Sequence, residues 1–201
     1  MRLRRCGDDA VLVEVDSLGE VEAVRAAVAA AGLPDVVDLV PAARTVLVVT
    51  RPGGLPAVRG VLAAADLVHH PGAEGDDVVL PVRYDGPDLD LVAETAGLTT
   101  AEVVELHTGA DYRVAFCGFA PGFAYLTGLP GPLRQPRLDS PRTSVPAGSV
   151  GVAGEFTAAY PRATPGGWRL IGRTDAPLFD PRRAAPALLT PGDRVRFEAV
   201  R

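Results

Sequence analysis

In the stretch Ala10-Val-Leu-Val-Glu-Val15-Asp-Ser17-Leu-Gly-Glu20, a β-branched run gives way at Ser17 to a helical pattern that continues through Ala31 and stops at Gly32. Ser17 is placed to cap the helix, Glu20 is its capping-box partner three residues on, and Gly32 supplies the stop. Working outward, Arg2 to Cys6 reads as a strand joined to Ala10–Val15 through the turn Gly7-Asp8-Asp9. Val36 to Val40 and Thr45 to Thr50 are two further β-branched runs, separated by Pro41-Ala-Ala-Arg44, and a second helix runs from Leu55 to Ala65 after Pro52-Gly-Gly. The order is therefore ββαββα. Two amphipathic helices on one face of a four-stranded antiparallel sheet form a two-layer α+β domain, because each apolar face must be covered. This domain is expected over residues 1–76, with residues 67–76, including His69-His70-Pro71-Gly72, as its linker.

The character changes over residues 77–201. Val78 to Tyr84 reads as a strand broken by Pro81, Asp88 to Ala96 as a short helix, and Thr99-Thr-Ala-Glu102 as a capping box opening a helix to about His107. Beyond that, helical periodicity nearly vanishes. Strands are expected at Tyr112–Cys117, Ser149–Ala153, Trp168–Gly172 and Asp193–Val200, between turns rich in Gly and Pro. That spacing fits a small β-barrel or sandwich.

Composition removes several chemistries. All 20 basic residues are arginine, and asparagine is absent. Without lysine the chain offers no Schiff base, no biotinyl- or lipoyl-lysine, no Walker A lysine and no Ser-x-x-Lys nucleophile. Asn-x-Ser/Thr glycosylation is excluded as well. Cys6 and Cys117 could form at most one disulfide, and the start Met1-Arg-Leu-Arg-Arg-Cys lacks the apolar run of a signal peptide, so a reduced, cytoplasmic protein is expected. No apolar stretch reaches the roughly 18 residues of a membrane span. The formal charge of −5 conceals a basic C-terminal part, where residues 112–201 hold 12 arginines against 6 acids. That favours an anionic ligand or an acidic partner. Few aromatics and no basic run accompany those arginines, so nucleic acid is not expected as a partner, nor is a membrane.

The segment Gly118-Phe-Ala-Pro-Gly-Phe-Ala-Tyr125 places Phe119, Phe123 and Tyr125 in a loop rigidified by Pro121 and opened by Gly122. Such a loop can either cap the core or wall a preformed pocket. Arg137, Arg142 and Arg173 stand in loop or strand-end contexts where a guanidinium can take an anion bidentately; salt bridges to Asp139 or Asp175 are the alternative. Pro165-Gly166-Gly167-Trp168 brings backbone amides and the single tryptophan together, as a packing turn or as a ligand contact. His107, ahead of Tyr112, is the histidine nearest the aromatic loop, and a helix-end contact is as consistent with its position as a site role. Ala147-Gly-Ser149-Val-Gly151 misses the nucleophile-elbow pattern at position 147, and no base is evident beside Ser149. The two cysteines and three histidines form no metal-ligand pattern, so no metal site is expected.

Taken together, Gly118 to Leu126, Pro136-Arg-Leu, Pro141-Arg, Val145-Pro-Ala-Gly-Ser-Val-Gly-Val-Ala-Gly154, Thr157 to Pro161, Pro165 to Thr174, Leu178-Phe-Asp-Pro181 and Leu188-Leu-Thr-Pro-Gly-Asp193 resemble the PxpB/KipI family, as do Gly7 to Glu14 and Val40-Pro-Ala. This family is also labelled allophanate hydrolase subunit 1 or carboxyltransferase domain, subdomain C/D. The resemblance implies a DCoH-like N-terminal domain and a cyclophilin-like β-barrel. It implies the PxpB component of an ATP-dependent 5-oxoprolinase that opens 5-oxo-L-proline to L-glutamate, with PxpA-like and PxpC/KipA-like proteins as its partners. On that reading the chain is inactive alone and binds no cofactor itself, the complex requires ATP, and His107, the Phe119–Tyr125 loop, the three arginines and Gly166-Gly-Trp168 contact the lactam or amide substrate. Related members imply two alternatives, a KipI-like inhibitor of a sensor histidine kinase and half of a urea carboxylase or allophanate-type carboxyltransferase module. The chain departs from the family at Thr157-Ala-Ala-Tyr-Pro161, where Ala158 replaces a glycine and adds a methyl group near the expected site, and at Ala43-Arg44, where a tyrosine is usual.

Overall fold

The structure, a computed structural model, describes residues 1–67 and 75–201. The chain divides into two compact units, Met1–Ala73 and Glu74–Arg201. Most of the expected linker, with His69 and His70, lies outside the described residues.

The first unit runs β1 (Arg2–Arg5), β2 (Ala10–Glu14), α1 (Leu18–Ala30), β3 (Val36–Pro41), β4 (Thr45–Thr50) and α2 (Leu55–Ala64). Its four strands form an antiparallel sheet in the order β1-β2-β4-β3. Alternation places Val11, Val13, Val46 and Val48 on one face, where Val21, Val24 and Val28 of α1 and Val58 and Leu62 of α2 complete a dry core. The Ser17 hydroxyl accepts a hydrogen bond from the Glu20 amide at 3.2 Å, as its N-cap position predicts. The Glu20 carboxylate reaches the Asp16 amide, one residue short of the expected reciprocal bond.

The second unit contains β5 (Asp77–Val82), α3 (Leu89–Ala96), α4 (Thr100–Thr108), β6 (Tyr112–Cys117), β7 (Ala124–Thr127), β8 (Arg142–Val145), β9 (Ser149–Ala153), β10 (Phe156–Ala159), β11 (Thr164–Gly166), β12 (Arg169–Arg173) and β13 (Arg194–Ala199). Seven of these strands form a curled sheet in the order β12-β9-β10-β7-β6-β13-β5, and β8 pairs with β11 beside it. Past the end of β5, Arg83 exchanges backbone hydrogen bonds of 2.8 and 2.9 Å with Arg173 of β12, so the two edges nearly meet in a barrel. Pro81 does not break β5. The strand occupies a sheet edge, where one missing N–H is tolerated. The capping box at Thr99 and Glu102 is present in both directions, at 2.7 and 3.2 Å. β7, β8, β10 and β11 go beyond the strands expected from the sequence. Ala124–Thr127 follows directly on the aromatic loop, and Phe156–Ala159 is half alanine, so neither carries a strong β-propensity signal.

Candidate functional site: an aromatic pocket with an unpaired arginine

The loop between β6 and β7 folds back on itself through its own backbone. The Ala120 amide donates to the Gly118 carbonyl at 2.7 Å, a γ-turn centred on Phe119, and the Gly118 amide donates to the Phe123 carbonyl at 3.2 Å. Phe119 therefore sits at φ 67°, the single non-glycine residue with positive φ among those described, and its ring is 60% exposed. Holding a bulky residue there costs about 1–2 kcal/mol, a strain that concentrates at functional sites. Gly122, at φ 81°, could not be replaced without strain, since a Cβ would lie 2.6 Å from Cβ of Phe179. The turn delivers Phe123 to a buried position, where its ring meets Phe119, Tyr160 and Trp168 edge-on at centroid distances of 5.2, 5.1 and 5.6 Å.

Above this floor lies a small cavity of about 80 Å³, lined by Phe119, Phe123, Tyr125, Arg137, Tyr160 and the run Pro165 to Trp168. Burial pushes the Tyr160 phenol up to about 12, with Arg137 and Arg142 opposing, and raises Tyr125 against the pull of Arg137. Both phenols are therefore neutral donors at neutral pH. Arg137 is exposed, and among the described residues its guanidinium makes no hydrogen bond or ion pair. An apolar wall, two phenolic hydroxyls and one uncommitted cation suit a small planar or cyclic anion.

Seven of the residues singled out in the sequence meet here: Phe119, Phe123, Tyr125, Arg137, Gly166, Gly167 and Trp168. Gly122 shapes the turn from behind, and Pro121 is exposed outside the lining. Tyr160 belongs to the pocket although the sequence did not single it out; its signal lay in the segment Thr157 to Pro161, and Pro165 enters with the turn it opens. Ala158 is fully buried within β10, has no positive φ, pairs with Gly151 of β9, and belongs to the same core cluster as Phe123, Tyr160 and Trp168.

Arg142 and Arg173 are placed elsewhere. They line a separate hollow of about 520 Å³ with Asp85, Ser144, Ser149, Thr174 and Asp175. Each has a carboxylate partner, but neither Asp139 nor Asp175 fills that role: Arg142 pairs with Asp88 and Arg173 with Asp85, both at 2.7 Å. These partners lie more than 50 residues away in sequence and come together only when the barrel closes.

His107 does not face either cavity. It is fully buried, with Nε2 3.0 Å from Thr157 Oγ1 and Nδ1 2.7 Å from the Tyr84 hydroxyl. Thr157 spends its proton on the Gly151 carbonyl at 3.0 Å, so it must accept from His107 Nε2–H, and Nδ1 must accept from Tyr84. Tyr112 donates to the His107 carbonyl at 2.9 Å, and Phe197 packs on the ring at 4.4 Å. Burial drives the imidazole down to about 3, which keeps it neutral. Among the described residues no three His, Cys, Asp or Glu side chains cluster as metal ligands, and no helix is long and apolar enough to cross a membrane.

With this geometry in place, the profile of the carboxyltransferase domain, subdomain C and D, matches residues 1–189. The chain belongs to that family. It is 41% identical to the 5-oxoprolinase B subunit of Escherichia coli O157:H7, over 98% of this chain and 96% of that protein. It is also similar to the crystal structure of TTHA0988, with a TM-score of 0.82 and 35% identity, covering 96% of this chain but 40% of that one. The Kluyveromyces lactis urea carboxylase shares the fold at a TM-score of 0.77 and 21% identity, over 99% of this chain and 22% of that one. The same fold thus also occurs as one part of longer chains.

Proposed function

We propose that this chain is the PxpB component of an ATP-dependent 5-oxoprolinase that opens 5-oxo-L-proline to L-glutamate together with PxpA-like and PxpC/KipA-like partners. The observation that carries the reading is the near full-length similarity, in both directions, to a 5-oxoprolinase B subunit. Its finer architecture, a DCoH-like unit before a cyclophilin-like barrel, is part of the same proposal.

The aromatic pocket supports a share in the active site. A volume of about 80 Å³ is well below the roughly 300 Å³ at which pockets begin to enclose a small-molecule ligand, so a second surface must complete it. That fits a protein inactive by itself, as does the occurrence of similar modules within longer chains. A lactam is a poor electrophile, and ATP handled by the complex would supply the activation at its carbonyl oxygen. This chain contributes the rest of the environment: Arg137 holds the substrate's negative charge, the Tyr125 and Tyr160 hydroxyls orient it, and Phe119, Phe123 and Trp168 exclude water from the ring. No residue of the chain is assigned as a nucleophile. Co-expression with candidate PxpA-like and PxpC-like partners, followed by an assay of ATP-dependent glutamate formation from 5-oxoproline, tests the reading. Omitting this chain should abolish activity, and undiminished activity without it refutes the proposal.

A further inference from the structure

The hollow that holds Arg142 and Arg173 shares no lining residue with the aromatic pocket, and its volume of about 520 Å³ lies in the range of small-molecule sites. Its walls are preformed at the seam where the barrel edges meet. Gly172 of β12 packs so closely on the Arg83 carbonyl that a Cβ would lie 2.6 Å from it. Arg142 is a fixed charge here, because Asp88, with a side chain only 9% exposed, binds its Nη2 through one oxygen and the Leu170 amide through the other, each at 2.7 Å. The Arg173–Asp85 pair is different. Both side chains are about half exposed, 55% and 42%, and exposed pairs contribute little to stability, so a ligand can open this one readily.

The balance of charge selects the ligand. Two guanidinium groups and two carboxylates, Asp85 and Asp175, line the hollow, and the Asp88 carboxylate backs Arg142. A phosphate or simple carboxylate meets repulsion from Asp85 and Asp175, and a simple amine meets repulsion from the arginines. A molecule with both charges on neighbouring atoms satisfies both sets. We propose that this hollow binds a free α-amino acid as its zwitterion, its carboxylate on Arg173 beside the fixed positive charge of Arg142, whose terminal nitrogens are held by Asp88 and the Trp168 carbonyl, and its ammonium on Asp85 and Asp175. An apolar side chain would lie against Pro87 and Pro146. The site does not depend on the 5-oxoprolinase reading.

An amide NMR titration of the full chain tests this, with L-leucine, isocaproate, isoamylammonium and inorganic phosphate as probes. Leucine should give saturable shifts at residues 85–87, 144–149 and 172–175, and glycine should bind there more weakly. Isocaproate and isoamylammonium, which each lack one of leucine's charges, should give no saturable shift at matched concentration. Asp85→Asn and Arg173→Gln should each weaken leucine binding by about tenfold or more. Asp175→Asn provides an independent exposed variant, and unchanged shifts elsewhere report that each variant is folded. Isocaproate or phosphate binding as tightly as leucine overturns the proposal, as does leucine binding unaffected by all three substitutions. So does the absence of saturable leucine shifts up to about 50 mM.

Discussion

The barrel unit contains two aromatic clusters built from similar residues, and their environments assign them opposite roles. Around His107, the rings of Tyr84, Tyr112 and Phe197 close over an imidazole whose nitrogens are both hydrogen-bonded, and burial keeps the group neutral. Around Phe123, the rings of Phe119, Tyr125, Tyr160 and Trp168 leave a cavity with an uncommitted guanidinium at its edge. The first cluster is satisfied and inward-facing; the second is incomplete and open. Aromatic content and a nearby titratable group therefore do not distinguish a site from a core, whereas unsatisfied polar capacity beside open space does.

If the His107 cluster is structural, removing its centre should have the largest effect on folding. His107→Ala should cost about 3–5 kcal/mol, combining a cavity with the lost partners of Tyr84 and Thr157, as read by urea denaturation. A loss below about 1 kcal/mol would erase the contrast between the clusters.

The pH dependence sharpens the same point. The unfolded imidazole takes up a proton near 6.5 and the folded one only near 3, so the unfolded state binds more protons between these values. Stability from this group is fully present above pH 6.5 and falls as the pH drops towards 3. Between pH 6.5 and 5 the wild type should lose about 1.6 kcal/mol more than His107→Gln, the slope rising to about 1.4 kcal/mol per pH unit as the unfolded imidazole becomes protonated. Parallel denaturation series at the two pH values provide the comparison.

The open cluster should respond in the reverse sense, through activity rather than stability. Arg137→Gln should lower kcat/KM of the assembled complex by about tenfold or more while moving unfolding by less than about 0.5 kcal/mol. Equal losses of activity and stability would make Arg137 a structural residue. The smallest loss of activity belongs to Phe119→Gly. Relief of the positive φ offsets the loss of a mostly exposed ring, so stability should stay within about 1 kcal/mol of wild type while activity falls several-fold. Calorimetry and the coupled assay on one preparation separate the two readouts.

Much of this organisation was legible in the sequence wherever the controlling interactions are local. The first unit's six elements follow from alternation, a Ser17 cap and a Gly32 stop, each acting over a few residues. The aromatic pocket was half legible because Phe119, Phe123 and Tyr125 lie within seven residues, although Tyr125 stands in β7 and not in the loop as expected; its union with Arg137, Tyr160 and Trp168 depends on the pairing of β7 with β10 and of β9 with both β10 and β12. The barrel strands without strong β-branched patterning, such as Phe156–Ala159, are strands because their neighbours supply the ladder.

The sequence by itself determined the family, the ββαββα order and the chemistries that a chain without lysine cannot perform. Only the tertiary structure decided that Arg137 stays uncommitted while Asp88 and Asp85 claim Arg142 and Arg173, and that His107 turns inward to Thr157. The physical reason is distance along the chain. Caps, turns and periodicity act over three or four residues, whereas the carboxylate partners of Arg142 and Arg173 and the ring partners of His107 are more than 20 residues away, and only the nearly closed barrel brings them within hydrogen-bond reach.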